Sequence, residues 1–386
     1  MRDFAAELNA RHEAGLNRTR RLVRGPQQPS LTADDTSLLA FCSNDYLGLA
    51  SHPEVCAALT AAVSDAGVGG AASHLICGHH DYHHQLEQRL ADLTGRSAAL
   101  FFSTGYMANL GVISALVGRG DTVFSDRLNH ASIIDGCLLS RARIQRYPHN
   151  DMDHLADRLA ATSGHKLVVT DGIFSMDGDM APLRELAALC REHDALLLVD
   201  DAHGLGVLGE RGAGSLEHLG LSEQEVPLLI GTLGKAVGTS GAFVAGPQLL
   251  IDYLVQKART YIYTTAMPPA VAKATCAALD LVEQGQARRR HLAHLIRRFR
   301  EETQALGYQL MPSATPIQPI MVGDNWTALE LSRQLEDRGL LVTAIRPPTV
   351  PEGQARLRVT LSAAHTDADL DRLVTALADC RPEPEA

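Results

Sequence analysis

Short apolar runs alternate with amphipathic stretches from about residue 84 to residue 245. The apolar runs predict buried strands, and apolar residues spaced three to four apart predict helices. The predicted strands are 98–102, 121–125, 166–170, 195–199, 228–232 and 241–245, and the predicted helices are 84–93, 106–117, 131–140 and 183–193. This alternation is typical of α/β proteins with a mostly parallel sheet, which bind ligands beyond the carboxyl ends of the strands.

The pattern changes on both sides of this region. Residues 3–21 predict an exposed helix, and residues 25–35 predict a loop. The later elements predicted are helices 268–285 and 287–306, strand 317–322, helix 327–338, strands 340–345 and 355–361, and helix 367–379. We therefore predict an N-terminal helix and arm (1–45), a large domain (46–285) and a smaller α+β domain (286–386).

Composition excludes several classes of protein. The chain has 386 residues, of which 45% are hydrophobic, and a formal net charge of −10. This composition is globular, and the negative charge argues against a general nucleic-acid binder. Apolar runs are too short to span a bilayer, and early charges at Arg2, Asp3 and Glu7 interrupt any secretory signal. Seven scattered cysteines without a CxxC pair predict no disulfide framework, so we expect a cytoplasmic protein.

The strongest candidate chemistry follows the predicted strand 195–199. Residues 199–204 read VDDAHG, which places Asp200 and His203 three positions apart where the sheet opens. A single Asp at such a point is more often a turn or helix cap. The pair, however, can place an anion under a ligand and an imidazole beside it.

One lysine is well placed for covalent chemistry. The chain has 31 Arg but only four Lys, and Lys235 lies in the glycine-rich segment 231–238. Burial lowers the pKa of a lysine, and an unprotonated amine can form a Schiff base. The alternative is a lysine whose long side chain only reaches solvent. Upstream, residues 102–109 predict a strand, a small-residue turn and a helix start that could bind phosphate, a weak signal alone.

Three other motifs lack parts that their sites require. Residues 204–209 match GxGxxG, but residues 210–214 cannot continue as the helix of a dinucleotide site. Residues 231–235 resemble a P-loop, but Ala follows the lysine where Ser or Thr is needed. The four histidines in residues 79–84 have no HExxH pattern or flanking cysteine, so we predict no metal site. A nicotinamide oxidoreductase that uses residues 204–209 is kept as an alternative.

Taken together, the motifs resemble the α-oxoamine synthases, a family of fold-type I pyridoxal phosphate enzymes. The resemblance covers nearly the whole chain and rests on residues 43–49 (SNDYLGL), 126–132 (DRLNHAS), 174–179 (FSMDGD) and 199–204. It implies an α/β transferase with a mostly parallel central sheet in the large domain, a smaller C-terminal domain, and pyridoxal 5'-phosphate as cofactor. The chain departs from the family pattern at Ala71 and Ala72, where members often have Gly, and at Asp171, where Glu is common.

Residues 344–351 (AIRPPTVP) resemble one branch of that family. This branch is an acyltransferase of biotin biosynthesis that condenses L-alanine with a pimeloyl thioester and releases CO2 and the free thiol carrier. The carrier, coenzyme A or an acyl carrier protein, is left open. A glycine-using acyltransferase of the 2-amino-3-ketobutyrate ligase type is the alternative.

The resemblance implies roles for matching residues. Lys235 is expected to hold the cofactor and act as the base on the alanine Cα–H, while Asp200 pairs with the ring nitrogen and His130 stacks on the ring. The other implied cofactor contacts are His203 and Ser175 at the ring hydroxyl, Gly105, Tyr106 and Thr232 at the phosphate, and Thr264 and Thr265 from the neighbouring subunit of a homodimer with shared active sites. The implied substrate contacts are Arg358 for the amino-acid carboxylate, Asn44 for the substrate carboxylate region, and Arg18, Arg346 and Thr349 for the acyl group.

Overall fold

The computed structural model describes residues 2–380. The helices are α1 (Phe4–Glu13), α2 (Pro53–Ala66), α3 (Asp81–Thr94), α4 (Gly105–Leu116), α5 (Ala131–Ser140), α6 (Met152–Ala160), α7 (Leu183–Glu192), α8 (Ser215–Leu219), α9 (Gln248–Lys257), α10 (Arg259–Ile262), α11 (Pro269–Glu283), α12 (Gln286–Ala305), α13 (Asn325–Asp337) and α14 (Asp367–Asp379). The strands are β1 (Val23–Arg24), β2 (Ser30–Ala33), β3 (Thr36–Ala40), β4 (Ala98–Phe102), β5 (Thr122–Asp126), β6 (Arg143–Tyr147), β7 (Lys166–Asp171), β8 (Leu196–Asp200), β9 (Leu228–Thr232), β10 (Ala242–Gly246), β11 (Ile317–Gly323), β12 (Leu340–Leu341), β13 (Thr343–Ile345) and β14 (Ala355–Thr360). A π-helical turn, His74–Gly78, precedes α3.

One compact unit comprises Asp45–Ser175 and Met180–Arg290. Within the described residues its sheet has seven strands in the order β4-β10-β9-β8-β7-β5-β6. The strands from β9 to β6 are parallel, and β10 is antiparallel to both neighbours because a short loop joins it to β9. The mostly parallel sheet predicted from the sequence is confirmed.

Both faces of this sheet are covered by helices. In β7, Leu167 and Val169 belong to an apolar cluster with α4, α5 and α9, whereas Val168 belongs to a second cluster with α6 and α7. A strand that is buried on both faces has a continuous run of apolar residues in its sequence, rather than alternating apolar and polar residues. Each large side chain buried in this way stabilises the fold by about 1.5–3 kcal/mol, and together they fix the strand ends that carry the polar residues described below.

Among the described residues, the second unit comprises 2–44, 176–179 and 291–380. It contains the antiparallel sheet β11-β14-β13 and the sheet β1-β2-β3-β12, in which β12 is parallel to β3. Phe41 connects these regions, because its N–H donates to Leu341 O (2.9 Å) and its carbonyl accepts from Thr360 N (2.7 Å). The predicted domains 1–45, 46–285 and 286–386 stay predictions; in this unit the N-terminal segment packs with the C-terminal region.

Most elements predicted from the sequence are confirmed within two or three residues, and three predictions were wrong. The helix predicted at 3–21 ends at Glu13, just before Gly15, whose φ is +64°. The loop predicted at 25–35 contains β2, which pairs with β3. The strand predicted at 340–345 is split, since β12 pairs with β3 and β13 pairs with β14. Among residues 2–380, no helix combines the length and apolar character needed to cross a membrane.

Candidate active site

Polar side chains meet at the carboxyl ends of the parallel strands and enclose a cavity of about 160 Å³. Its lining includes eight of the residues predicted from the sequence: Gly105, Tyr106, His130, Ser175, Asp200, His203, Thr232 and Lys235. It also includes residues to which sequence analysis gave no role in the site, chiefly Asn109, Ser132 and Asp171. The position agrees with the expectation for parallel sheets.

Asp200 is the last residue of β8 and is buried. Its Oδ2 accepts a hydrogen bond from Asn109 Nδ2 (2.6 Å), and its Oδ1 accepts one from Ala202 N (3.0 Å). Asn109 Oδ1, also buried, has no hydrogen-bond partner among the described residues. Buried polar atoms are rarely left unpaired, so this cavity suits a polar ligand beside a fixed carboxylate.

Lys235 and His203 lie next to each other in the lining of the cavity. Lys235 Nζ lies 2.8 Å from His203 Nε2, and the other ring nitrogen of His203, Nδ1, lies 2.6 Å from the Tyr46 hydroxyl. Tyr46 and His203 are both buried. The imidazole is thus held at both nitrogens, which fixes its orientation and connects the amine to a phenol through one ring.

His130 is the N-cap residue of α5, and its Nδ1 lies 2.7 Å from Ser132 Oγ. Ser132 Oγ also accepts from Asn109 Nδ2 (2.9 Å), so a continuous hydrogen-bonded chain joins His130 to Asp200. Burial lowers the pKa of His130, and nearby Lys235 lowers it further while Asp200 opposes the shift. The ring is therefore held in its neutral form at neutral pH, which suits stacking on an aromatic ligand.

Asp171 ends β7 and pairs in register with Asp200 on β8. Its Oδ2 accepts from the His130 backbone N–H at 2.7 Å. Burial, reinforced by the charge of Asp200, raises the pKa of Asp171 well above its usual range. This carboxyl group therefore positions the His130 backbone rather than facing a ligand as a second charge.

The phosphate-binding prediction concerns the start of α4. Thr104 caps this helix by accepting from Met107 N (3.1 Å), and Gly105 is its first residue. Tyr106 is exposed, and its hydroxyl donates to Asp135. Backbone N–H groups at such a helix start bind anions. An amine, a buried carboxylate, an imidazole and a helix N-terminus around one cavity are a donor set that fits pyridoxal phosphate.

Seven predicted site residues lie outside the cavity lining. Thr264 and Thr265 are in the turn between α10 and α11. In the other compact unit, Arg358 is buried, with Nη2 3.3 Å from Asn44 Oδ1 and Nη1 3.0 Å from Thr360 Oγ1. The same unit has a cavity of about 470 Å³ whose lining includes Arg18, Arg346 and Thr349. The assignments of all these residues to ligands stay predictions.

Sequence analysis missed Tyr46, Asn109 and Ser132 as site residues. Tyr46 and Ser132 stand inside the segments that carry the family resemblance, 43–49 and 126–132, so a signal for them was present. Asn109 lies four positions after Gly105, one helical turn along the same face of α4. That spacing is a signal in the sequence that Asn109 and Gly105 belong to the same site.

Comparisons with known proteins agree with this geometry. The family model described as aminotransferase class I and II matches residues 36–377. An 8-amino-7-oxononanoate synthase from Marinobacter nauticus is 73% identical over 381 residues, covering 99% of this chain and 97% of that protein. This chain belongs to the 8-amino-7-oxononanoate synthase family. A family member from Pseudomonas putida is 62% identical over 383 residues, covering 99% of this chain and 98% of that protein.

Solved structures confirm the predicted fold class, the fold-type I transferases. A structure described as SPT with PLP internal aldimine has a TM-score of 0.93 at 32% identity and covers 98% of both chains. The 8-amino-7-oxononanoate synthase from Francisella tularensis has a TM-score of 0.78 at 32% identity, covering 89% of this chain and 97% of that chain. The family resemblance inferred from the sequence motifs is therefore confirmed.

Proposed function

We propose that this chain catalyses the reaction for which its relatives are named, the formation of 8-amino-7-oxononanoate. In this reaction L-alanine condenses with a pimeloyl thioester, and CO2 and the free thiol carrier are released, as a step of biotin biosynthesis. The observation that carries the proposal is the 73% identity to a synthase of this name over 99% of the chain. The Lys235–His203–Asp200 geometry supplies matching chemistry.

The cofactor is pyridoxal 5'-phosphate. When bound, it supplies an electron-accepting ring that stabilises negative charge at the amino-acid Cα. Asp200, held by Asn109, would keep a proton on the ring nitrogen. Lys235 would hold the cofactor through its amine and would take up the proton removed from alanine. His203, fixed by Tyr46, orients that amine.

The acyl substrate is assigned to the cavity of about 470 Å³ in the second unit. Arg18 and Arg346 both line this cavity. Burial lowers the pKa of Arg346, and the neighbouring Arg18 lowers it further. Arg346 Nε is buried without a hydrogen-bond partner among the described residues. A pimeloyl group ends in a carboxylate, which would satisfy that donor and relieve the repulsion between the guanidinium groups.

We further propose that Arg358 binds the alanine carboxylate, with Asn44 beside it. The guanidinium group suits bidentate binding of a carboxylate. Arg358 Nη1 and Nη2 already have partners in Thr360 and Asn44, and these fix the plane of the group. A pre-oriented guanidinium loses little side-chain entropy when the substrate arrives.

A homodimer with shared active sites and a cytoplasmic location complete the proposal. Large side chains that a monomer would leave in water support the dimer, among them Val68 and Ile76, each 78% exposed, and Tyr263, 71% exposed. Tyr263 directly precedes Thr264 and Thr265. Mixing Lys235→Ala and Thr264→Ala/Thr265→Ala chains should restore activity above either parent, since one site of the mixed dimer is intact; no restoration would argue against shared sites.

A substrate panel tests the reaction directly. The holoenzyme is incubated with alanine or glycine and with pimeloyl-CoA, pimeloyl-carrier protein or acetyl-CoA, and the products are identified by mass. We expect 8-amino-7-oxononanoate from alanine with a pimeloyl donor, and the preferred donor identifies the carrier. Preferential formation of 2-amino-3-ketobutyrate from glycine and acetyl-CoA would overturn the proposal in favour of the ligase alternative.

A further inference from the structure

A second cluster of imidazole and carboxylate groups lies around the start of α3, in the same compact unit as the candidate active site. His74, His79, His84 and Glu87 line a cavity of about 530 Å³. This cavity shares no lining residue with the active-site cavity. The cluster is therefore separate from the proposed catalytic chemistry, and the inference below does not rest on the proposed function.

His83, although close to this group, is not available as a ligand. Its Nδ1 accepts from the His80 backbone N–H (3.0 Å), and its Nε2 lies 2.8 Å from Met267 O. Both ring nitrogens are therefore used by the backbone, which makes His83 a helix-capping residue.

His79 is oriented by its neighbour. Its Nδ1 lies 2.9 Å from His74 Nδ1, and His74 stacks on Tyr261 with ring centroids 4.9 Å apart. Two imidazole nitrogens at this distance share one proton, so one ring donates and the other accepts. When His79 donates, its Nε2 carries the lone pair that a metal needs. A hydrogen bond at the other ring nitrogen is the usual support of a metal-binding histidine.

Glu87 completes the set from the second turn of α3. Its Oε1 accepts from the Phe101 backbone N–H (2.9 Å), and its Oε2 faces His79 Nε2 at 3.8 Å. His84 precedes Glu87 by three positions, so the two side chains lie on one face of the helix. Ligand atoms of His79, His84 and Glu87 all lie within 4.8 Å of one another.

We propose that His79, His84 and Glu87 bind one divalent transition-metal ion of the zinc class. Tetrahedral zinc with ligands at about 2.0–2.2 Å needs ligand atoms about 3.3–3.6 Å apart. Binding would therefore require the exposed side chains of His79 and His84 to rotate about their χ angles and close on Glu87, which the Phe101 backbone N–H holds in place. Two imidazoles and one carboxylate leave a fourth position open to the cavity, as in known zinc sites of this ligand set.

Zinc titration of the holoenzyme tests this site. The tag-free protein, freed of metals with a chelator, is titrated with ZnCl2 by calorimetry, and its zinc coordination is measured by X-ray absorption. We expect one ion per chain, with two imidazole nitrogens at about 2.0–2.1 Å and one carboxylate oxygen at about 2.0–2.2 Å. A sulfur ligand, for which the exposed Cys77 is nearest in sequence, would overturn the assignment.

Matched variants locate the ion. His84→Ala and Glu87→Gln should each weaken zinc binding at least about tenfold, because each removes one of three protein ligands. His165→Ala, which removes an exposed histidine outside the cluster, should bind zinc as the parent does. Cofactor absorbance and metal-free thermal stability verify that each variant is folded. Absence of saturable binding, or parental affinity in both cluster variants, would overturn the proposal.

Discussion

The two clusters of imidazole and carboxylate groups are assembled in different ways. The candidate active site draws His130, Asp200 and Lys235 from the carboxyl-terminal ends of separate strands or the loops that follow them, spread along the chain between positions 130 and 235. The second cluster comes from one short segment, residues 74–87. Burial is the largest cause of the lowered histidine pKa in both clusters. In the active site the charges of Asp200 and Lys235 act on His130 in opposite directions. In the second cluster His83 and His79 add to the effect of burial, and the pKa of His74 falls to about 3.

This difference shows which kind of site can be predicted from a sequence. Long-range spacing identified the dispersed site because a family pattern stretches over the whole chain. The local histidine segment carried no such pattern, and only the fold showed that Glu87 faces His79. The variants below either inactivate the candidate active site or distinguish its residues from residues that only support the fold.

Replacing Lys235 is expected to have the largest effect. Lys235→Arg should lower the condensation rate by about 10²–10⁴-fold or more, because a guanidinium stays charged and cannot take the proton or hold the cofactor. Loss of the covalent pyridoxyl label after borohydride reduction, measured by peptide mass analysis, checks the attachment point. Lys257→Arg is the control, and a label that persists in the Lys235 variant would contradict the assignment.

Asp200 and Asp201 should separate activity from stability. Asp200→Asn is expected to reduce kcat by about 10²–10³-fold, since a charge at the cofactor ring is lost, with little change in Tm. Asp201 instead accepts from Ser215 N and Oγ, both at 2.6 Å, and burial raises its pKa to about 7. Asp201→Ala should lower the free energy of unfolding by about 1–3 kcal/mol.

Kinetics and thermal unfolding of both variants check this pair. Activity lost more severely in Asp201→Ala than in Asp200→Asn, at a temperature where both are folded, would reverse the two roles.

Tyr46→Phe tests the hydrogen bond that orients His203. Leaving a buried ring nitrogen without its partner costs about 1–3 kcal/mol, which corresponds to a loss of about 5- to 150-fold in kcat/KM if it falls on the transition state. Tyr82→Phe is the matched control, because the Tyr82 hydroxyl donates to Asp65 on the surface. Steady-state kinetics with alanine test this prediction. Equal values of kcat/KM in the two variants would show that the Tyr46 hydroxyl has no positioning role.

The smallest expected effect is a pH dependence of stability from His74. Burial lowers its folded pKa to about 3, below the ordinary 6.5, so only the unfolded chain binds the proton between these values. The contribution of neutral His74 to the free energy of unfolding is therefore complete above about pH 6.5 and is lost as pH falls toward 3. In chelator, His74→Asn should show a shallower fall of Tm between pH 6.5 and 4 than His165→Asn does. Identical slopes would contradict a buried neutral His74.

The central α/β region could be predicted from the sequence because its strands are buried on both faces. Leu167, Val168 and Val169 are all apolar for that reason, and β7 stands out as a run. Strand β6 carries Arg143 and Arg146 at the edge of the same sheet, where charges protect an exposed edge, and the sequence pattern did not mark it. The missed β2 is a short strand of a separate sheet, without such a run.

Part of the candidate active site could also be predicted from the sequence. Residues with unusual chemistry at strand ends, such as Lys235 and Asp200, stand out in the sequence. Asn109 and Tyr46 do not, because their roles depend on which distant residue each one faces. Hydrogen-bond partners across the fold are set by tertiary packing, which motif spacing does not encode.

The loop that carries Lys235 is closed at both ends by the sheet. Thr232 pairs with Ala242 across β9 and β10, and Leu233 donates to Gly241 O (2.9 Å) and accepts from Thr239 N (2.8 Å). The backbone around the amine is therefore ordered when the chain folds, before any ligand arrives. Cofactor attachment then restricts only the rotations of one side chain, so little of the binding free energy is lost as conformational entropy.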